Sequence, residues 1–287
     1  SATIVIANYD STEKSKKGAD YVVKNGEDAS KVIMNAEQEL VGFGGKILLM
    51  EGKYDCQSGI VLGYAETTLE GCNATLVQNE IWSETEYGDG KTSKHIIANY
   101  ENMKSIIVNN IKIVGKNISG SIGIDCAGSS QVNNCTVSGT GSHAMYCKDS
   151  SQVNNCTISG TGGSGMYCKD SSQVSNCTVS GTGEYGIDCF GSSQVSNCTV
   201  SGTGEYGMYC KDSSQVSNCT ISDTGGNDGI DCSDSSQVSN CTVSGTGDNG
   251  IFCFGSFKGI CSFNILKGCK LTDKSVTPAK VEYNVIQ

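Results

Sequence analysis

The stretch GIDCFGSSQVSNCTVSGTGEY, from Gly186 to Tyr206, is one of seven copies of a 21-residue unit in the second half of the chain. The spacing between equivalent cysteines is 21 residues, except after Cys210 and Cys219, where one inserted residue makes it 22. A period this short cannot hold two packed helices and predicts one coil of a β-solenoid. The first cysteine column is Cys126, Cys147, Cys168, Cys189, Cys210, Cys232 and Cys253, and the second is Cys135, Cys156, Cys177, Cys198, Cys219 and Cys241.

Apolar residues recur at fixed distances from both cysteines. Ile187 lies two residues before Cys189, and Val200 lies two residues after Cys198. Alternate residues of a strand share a face, so each cysteine is predicted to point inward with its apolar neighbour. A third column that includes Val195 completes three short sheets, which is the packing of a parallel β-helix.

The first 118 residues are less regular. ATIVIA at residues 2–7 is typical of a strand, and the segment 28–41 has an apolar stripe at helical spacing with Asp28 as N-cap. We predict four parts: an N-terminal strand and capping helix at 1–45, irregular coils at 46–118, regular repeats at 119–257, and a closing coil with a C-terminal strand at 258–287.

The chain is acidic, with a net charge of −10 and no arginine among its 20 basic residues. This composition disfavours nucleic acid and anionic membrane surfaces as partners, because both require basic patches. No apolar run reaches the length of about 18 residues that a membrane-spanning helix needs. Small polar residues and repeated N-glycosylation sequons favour a secreted protein of the cell exterior or surface.

Three stretches resemble the cap and first coils of the pectate-lyase-like right-handed parallel β-helix superfamily: the N-terminal helix, FGGKILLMEGKYDC and IVLGYAETTLEGCNATLV. This superfamily includes secreted and surface repeat proteins of archaea and bacteria. The later GI…SSQVSNCTV coils resemble its generic repeats. The resemblance implies an all-β fold: a right-handed, single-stranded parallel β-helix, or solenoid, with an N-terminal capping α-helix. The superfamily includes lyases, glycosidases, tailspikes, adhesins and structural members, so the resemblance specifies the fold more closely than the activity.

The cysteine spacings contain no CxxC motif and the two histidines lie in no ligand cluster, so we expect neither a metal site nor a cofactor. Two interpretations stay open: buried thiols, or disulfides that close each coil on itself. Bonds between neighbours of one column are less attractive, because their side chains run parallel. The coil-closing pairs would be Cys56–Cys72, Cys126–Cys135, Cys147–Cys156, Cys168–Cys177, Cys189–Cys198, Cys210–Cys219, Cys232–Cys241 and Cys253–Cys261, which leaves Cys269 as a free or intersubunit thiol.

Two outward features suggest surface chemistry. Asn73 and Asn117 are candidate glycosylation sites, whereas the asparagines of the six NCT repeats are expected to stack inward at a bend. The position before the first cysteine alternates between acidic and aromatic residues, which suits sugar stacking or a subunit contact. This candidate face consists of Tyr146, Tyr167, Tyr209, Phe252, Asp125, Asp188 and Asp231.

Because there is no arginine and the copies are so alike, the sequence predicts no catalytic residues and no enzyme. The function predicted first is an extracellular structural β-helix that self-associates through its strand-like ends into a filament, sheath or adhesive layer. The alternative is a carbohydrate-binding or carbohydrate-cleaving β-helix, with glycans as partners, that uses the candidate face or the excursion at 79–95. A third reading, ice binding, rests on outward threonine columns that begin at Thr136 and Thr140.

Overall fold

The computed structural model describes residues 2–87, 91–99, 103–255, 259–275 and 280–287, and it divides into two compact units, Ser1–Tyr146 and Cys147–Gln287. Unit 1 contains the helices α1 (Glu13–Lys17) and α2 (Ala29–Leu40). Its strands are β1 (Ala2–Asn8), β2 (Tyr21–Val23), β3 (Gly45–Leu49), β4 (Gly52–Ser58), β5 (Ile60–Val61), β6 (Thr67–Gly71), β7 (Ala74–Ser83), β8 (Thr85–Tyr87), β9 (Lys91–Ser93), β10 (Ile97–Ala98), β11 (Ile106–Asn109), β12 (Lys112–Val114), β13 (Ile124–Cys126), β14 (Gln131–Asn133), β15 (Thr136–Ser138) and β16 (Met145–Cys147).

The strands of unit 2 repeat in threes. They are β17 (Gln152–Asn154), β18 (Thr157–Thr161), β19 (Met166–Cys168), β20 (Gln173–Ser175), β21 (Thr178–Thr182), β22 (Ile187–Cys189), β23 (Gln194–Ser196), β24 (Thr199–Thr203), β25 (Met208–Cys210), β26 (Gln215–Ser217), β27 (Thr220–Thr224), β28 (Ile230–Ser233), β29 (Gln237–Ser239), β30 (Thr242–Ser244), β31 (Ile251–Gly255), β32 (Ile260–Ser262), β33 (Ile265–Lys267), β34 (Leu271–Ser275), β35 (Lys280–Glu282) and β36 (Val285–Ile286).

Each unit forms three parallel sheets, which confirms the predicted solenoid. In unit 2, sheet 1 has the order β17-β20-β23-β26-β29-β32-β35, sheet 2 has β18-β21-β24-β27-β30-β33-β36, and sheet 3 has β19-β22-β25-β28-β31-β34. The three parallel sheets of unit 1 have the orders β2-β1-β3-β6-β11-β14, β4-β7-β12-β15 and β5-β10-β13. Equivalent residues of adjacent coils pair in register, as Cys189 does with Cys210.

The predicted core is confirmed. In the columns that start at Ile124, Val132 and Val137, and in both cysteine columns, every side chain is at most 1% exposed. The capping helix is also confirmed: Asp28 Oδ1 accepts from Ser30 N at 3.1 Å, and α2 buries Ile33, Ala36 and Leu40.

Two sequence-based expectations about polar columns were wrong. The NCT asparagines are exposed rather than inward; each occupies the left-handed region, near φ 54–55°, where Asn is tolerated better than most residues. The column from Thr140 to Thr224 is buried, so these hydroxyls do not contribute to the outward grid on which the ice-binding reading rested.

The sequence predicted an unpaired strand edge at each end of the chain, and the N-terminal end differs from this prediction. Strand β1 pairs with β3 along Ala2–Ile6 and with β2 along Ile6–Asn8, so much of its hydrogen-bonding capacity is used within the unit. The tail does form β35 and β36, which are the last strands of their sheets. The four-part division of the sequence stays a prediction.

Candidate functional site: an aromatic groove beside two buried aspartates

A groove of about 610 Å³ lies along sheet 3 of unit 2. We call it the aromatic groove, and it is lined by Tyr185, Asp188, Phe190, Tyr206, Tyr209, Lys211, Asp231, Phe252 and Phe254. The in-register pairing of β22, β25, β28 and β31 builds its floor, because Asp188 pairs with Tyr209, Tyr209 with Asp231, and Asp231 with Phe252. Four of the seven residues of the predicted face therefore meet in one site.

Local turns place the remaining rings. After β22, Gly191 and Ser192 both have positive φ, and the Ser193 hydroxyl donates to the Phe190 carbonyl at 2.6 Å, which fixes the turn that carries Phe190. Before β22, Gly186 lets the next coil approach closely: a Cβ there would lie 2.6 Å from the Gly207 carbonyl oxygen. This close packing supports Tyr185 at the rim of the groove.

The rings form a continuous cluster around Tyr209. Its ring centroid lies 5.6 Å from Tyr185, 5.9 Å from Tyr206, 6.2 Å from Phe190 and 6.4 Å from Phe254. These separations lie in the range of favourable aromatic pairs. The groove therefore presents a connected apolar platform on an acidic protein.

The cationic group of the groove is held against the rings. Lys211 Nζ lies 4.2 Å from the centroid of Phe190 and 5.7 Å from that of Tyr209. A cation over an aromatic face is attracted by the ring quadrupole. The amine is thereby positioned near both the platform and the Asp188 carboxyl.

Asp188 and Asp231 are the unusual residues of this site. Their side chains alternate with core residues along β22 and β28, yet only 4% and 5% of each residue is exposed, because the rings cover them. Asp188 Oδ1 and Asp231 Oδ1 are buried without a hydrogen-bond partner among the described residues. A buried carboxylate oxygen without a donor is costly, which favours the protonated acid.

The pKa values follow from this environment. Burial raises the pKa of Asp188 to about 7; the charge of Lys211 opposes this rise and that of Glu184 adds to it. Burial also raises the pKa of Asp231 to about 7, with a further contribution from Asp228. Both carboxyls can therefore donate or accept a proton near neutral pH, which is the property that acid–base catalysis requires.

Two other residues of the predicted face, Asp125 and Tyr146, lie in unit 1. Asp125 Oδ2 lies 3.2 Å from His95 Nδ1, and Tyr146 stacks beside His143 with centroids 6.4 Å apart. Tyr167 belongs to unit 2, where its centroid is 5.1 Å from that of Phe190. The 79–95 excursion contains the antiparallel pair β8–β9, and the side chains of 85–93 lie outside the described residues.

The remaining predicted site residues are spread over the coils. Asn73 and Asn117 are exposed with φ of 56° and 52°, and their glycosylation stays a prediction. Cys56 is buried and Cys72 is exposed, whereas Cys269 is partly buried and donates to the Val243 carbonyl at 3.5 Å. The coil-closing disulfides stay a prediction. Among the described residues, no group of His, Cys, Asp or Glu is arranged to hold a metal ion.

Five residues of the groove were not predicted as site residues from the sequence: Tyr185, Phe190, Tyr206, Lys211 and Phe254. The available signal was variation between copies: these residues occupy the positions just before the glycine that opens most copies and just after the first cysteine, where the coils differ. Because coils in register stack equivalent positions on one another, residues that differ between consecutive copies lie next to each other in the structure. Reading those positions down the columns would have found the groove.

The family model for the right-handed beta helix region matches residues 52–195 and 123–265, so the chain belongs to this family of right-handed parallel β-helix proteins. No curated protein matches the sequence. Among solved structures, the mannuronan C-5 epimerase AlgE4 A-module of Azotobacter vinelandii is similar, with a TM-score of 0.66, 12% identity and 91% coverage of both chains.

Two further structures share the fold. The enzymatically active domain of bacteriophage CBA120 tailspike protein 2 has a TM-score of 0.63 and 13% identity, over 85% of this chain and 44% of that one. The periplasmic alginate epimerase AlgG has a TM-score of 0.58 and 9% identity, over 87% and 82%. At these identities the likeness shows the fold.

These comparisons contradict the prediction that the protein is no enzyme. Structures of the same fold include epimerases and an enzymatically active tailspike domain. The sequence prediction considered clusters within a single coil, whereas the aromatic groove draws its residues from four coils. Among the described residues, no helix is both long and apolar enough to cross a membrane.

Proposed function

We propose that the aromatic groove binds an extended carbohydrate chain and performs acid–base chemistry on it with Asp188 and Asp231. The observation that carries this proposal is the pair of partnerless carboxyl oxygens buried beneath a connected set of rings. Aromatic faces stack on sugar rings, while the carboxyls and Lys211 offer polar groups to hydroxyls or acidic substituents.

The spacing of the two aspartates suits this chemistry. They lie two coils apart on the same face, so strand spacing puts their Cα atoms about 10 Å apart. This is close to the roughly 6.5–9.5 Å carboxyl separation at which one acid and one base act on opposite sides of a glycosidic bond. With both pKa values near 7, one group is able to carry the proton while the other accepts one.

The fold relatives support the carbohydrate reading, since two of them are named as alginate or mannuronan epimerases. They also support a location outside the cytoplasm, because one is named periplasmic and another is a phage tailspike. No observation favours the filament reading, and β1, where a filament contact was predicted, already pairs with β3 along Ala2–Ile6 and with β2 along Ile6–Asn8.

The test has a binding stage and a turnover stage. A glycan array with the full chain identifies the ligand, and Tyr209→Ala should weaken binding at least tenfold because it removes the centre of the ring cluster. Tyr64→Ala, an exposed tyrosine of unit 1, is the matched control and should bind normally.

Turnover is then followed as product release from the bound glycan. Asp188→Asn and Asp231→Asn should each reduce the rate by a factor of about 100 or more with binding retained, as expected for loss of an acid–base group. Asp212→Asn, an exposed aspartate of the same region, should be fully active. Binding that survives Tyr209→Ala would refute the groove as the site; turnover unchanged by both aspartate variants would refute the acid–base role.

A further inference from the structure

The first cysteine column contains two pairs of thiols whose sulfur atoms are in contact across neighbouring coils. Cys189 Sγ lies 3.3 Å from Cys210 Sγ, and Cys232 Sγ lies 3.4 Å from Cys253 Sγ. All four residues are fully buried. The two pairs lie on either side of the inserted residue that lengthens the spacing between Cys210 and Cys232.

From this geometry we infer that Cys189–Cys210 and Cys232–Cys253 are sites of disulfide cross-links that staple one coil to the next. In each pair the residues are in-register partners of adjacent parallel strands. Such partners are about 4.8 Å apart at Cα, within the 4.4–6.8 Å range of disulfides. This differs from the coil-closing pattern expected from the sequence, which joins Cys189 to Cys198 and Cys232 to Cys241.

The covalent step is thiol–disulfide exchange with an external disulfide. The thiolate of one cysteine attacks a disulfide RSSR and releases one RSH; the second cysteine then attacks the mixed disulfide and releases the other. Two thiols are oxidised, one external disulfide is reduced, and the two thiol protons end on the two RSH molecules. Because all four sulfurs are buried in the stacked coils, exchange occurs while the coils are still adding to the stack.

The position of the two staples gives them a consequence for the aromatic groove. Cys189 and Cys210 directly follow Asp188 and Tyr209, and Cys232 and Cys253 directly follow Asp231 and Phe252. Each staple therefore joins the strand of a groove aspartate to the strand of the ring in the next coil. The inference rests on the sulfur geometry alone and does not depend on what the groove binds.

The experiment is oxidative refolding with glutathione disulfide, alkylation of remaining thiols, and peptide mapping. Cleavage after Lys and Glu separates residues 185–205, with Cys189 and Cys198, from residues 206–211, with Cys210. Cleavage before Asp separates Cys232, Cys241 and Cys253 into residues 231–233, 234–247 and a fragment that begins at 248. We expect 185–205 linked to 206–211, and 231–233 linked to the fragment from 248.

Matched variants make the result specific. Cys210→Ala should abolish the 185–205 link to 206–211, and Cys198→Ala should leave it intact, although both replace a buried cysteine. The oxidised wild type should melt about 10 °C above its reduced form, as expected for closing two 21-residue loops in a chain of this size.

Four results would overturn the inference: a link inside 185–205, a link between 231–233 and 234–247, a link between Cys253 and Cys261 inside the fragment that begins at 248, or full alkylation of all four thiols after oxidative refolding. The first three would establish the coil-closing pattern, and the fourth would establish a thiol core. Because the map is read from wild-type protein, failure of a variant to fold does not affect it.

Discussion

Replacing Asp188 with Asn should stabilise the protein at alkaline pH and change its stability little at acidic pH. In the folded protein burial holds the pKa of Asp188 at about 7, whereas the ordinary value is 3.8. Between these two pH values the folded state keeps a proton that the unfolded chain has released. The free energy of unfolding of the wild type therefore falls as pH rises from about 4 to about 7 and is constant above that.

The magnitude follows from the size of the shift. About 3 pKa units correspond to about 4 kcal/mol, which is the cost of holding the ionised carboxyl in its buried position above pH 7. Asn has nearly the same shape and never ionises, so the variant avoids this cost. We expect it to be more stable than the wild type by up to about 4 kcal/mol at pH 8.5, and by less than about 1 kcal/mol at pH 4.

The assay is urea unfolding followed by circular dichroism at pH 4, 5.5, 7 and 8.5. Asp212→Asn removes an exposed carboxylate from the turn that follows β25 and should stay within about 0.5 kcal/mol of the wild type at every pH. A stability difference for Asp188→Asn that is the same at pH 4 and pH 8.5 would show that Asp188 ionises freely in the folded protein. The account of the aromatic groove as a desolvated acid site would then be wrong.

Three further variants test other parts of the structure. Asp28→Ala should cost about 2–3 kcal/mol in urea unfolding, because its carboxylate caps α2 and also accepts from Gln57 N at 2.9 Å and Ser58 Oγ at 2.7 Å; an unchanged midpoint would contradict this. Gly186→Ala should cost about 1–3 kcal/mol because its Cβ would overlap Val200 Cγ1, whereas Gly18→Ala has only ordinary contacts and should be neutral. Lys211→Met should raise the pKa of Asp188 above about 7 in a carboxyl-carbon NMR titration, since the charge of Lys211 lowers that pKa. The control Lys270→Met should leave the pKa of Asp188 unchanged. An unchanged pKa of Asp188 in Lys211→Met would exclude the charge effect.

The fold could be predicted from the sequence because each core position recurs with the same kind of residue: cysteine at two positions, Val at the position of Val195, and Ile or Met at the position of Ile187. A coil of strands satisfies this period, and Asp28 marks the start of the capping helix. Whether a position is buried can be inferred from the apolar residue at that position and from its regular recurrence along the sequence, so one sequence is enough. The orientation of Asn197 at its bend was harder to predict, because an exposed asparagine in the left-handed αL conformation and an inward-stacking asparagine have the same sequence signature.

The chain ends and the cysteine contacts were mispredicted or left open for a different reason. Whether β1 is an edge depends on where Tyr21–Val23 returns to pair with it, and this short strand has no distinctive pattern. Whether Cys189 meets Cys198 or Cys210 depends on the orientation of side chains across coils. Both are long-range properties, and the spacing of residues along the chain does not determine them.

The aromatic groove shows how a nearly exact repeat comes to contain a distinctive site. In-register pairing sets equivalent residues of successive coils about 4.8 Å apart, so each outward position becomes a column. The column Tyr167, Asp188, Tyr209, Asp231, Phe252 alternates rings and acids, and rings in the flanking columns, such as Tyr185 and Phe190, cover the acids. Burial of Asp188 therefore depends on neighbours contributed by more than one coil, and a single coil of the same sequence would leave its carboxylate in water with an ordinary pKa. The core can be kept constant while these outward positions vary, because alternate residues of a strand face opposite sides. That separation lets the same 21-residue unit supply both the scaffold and a local site that no single copy contains.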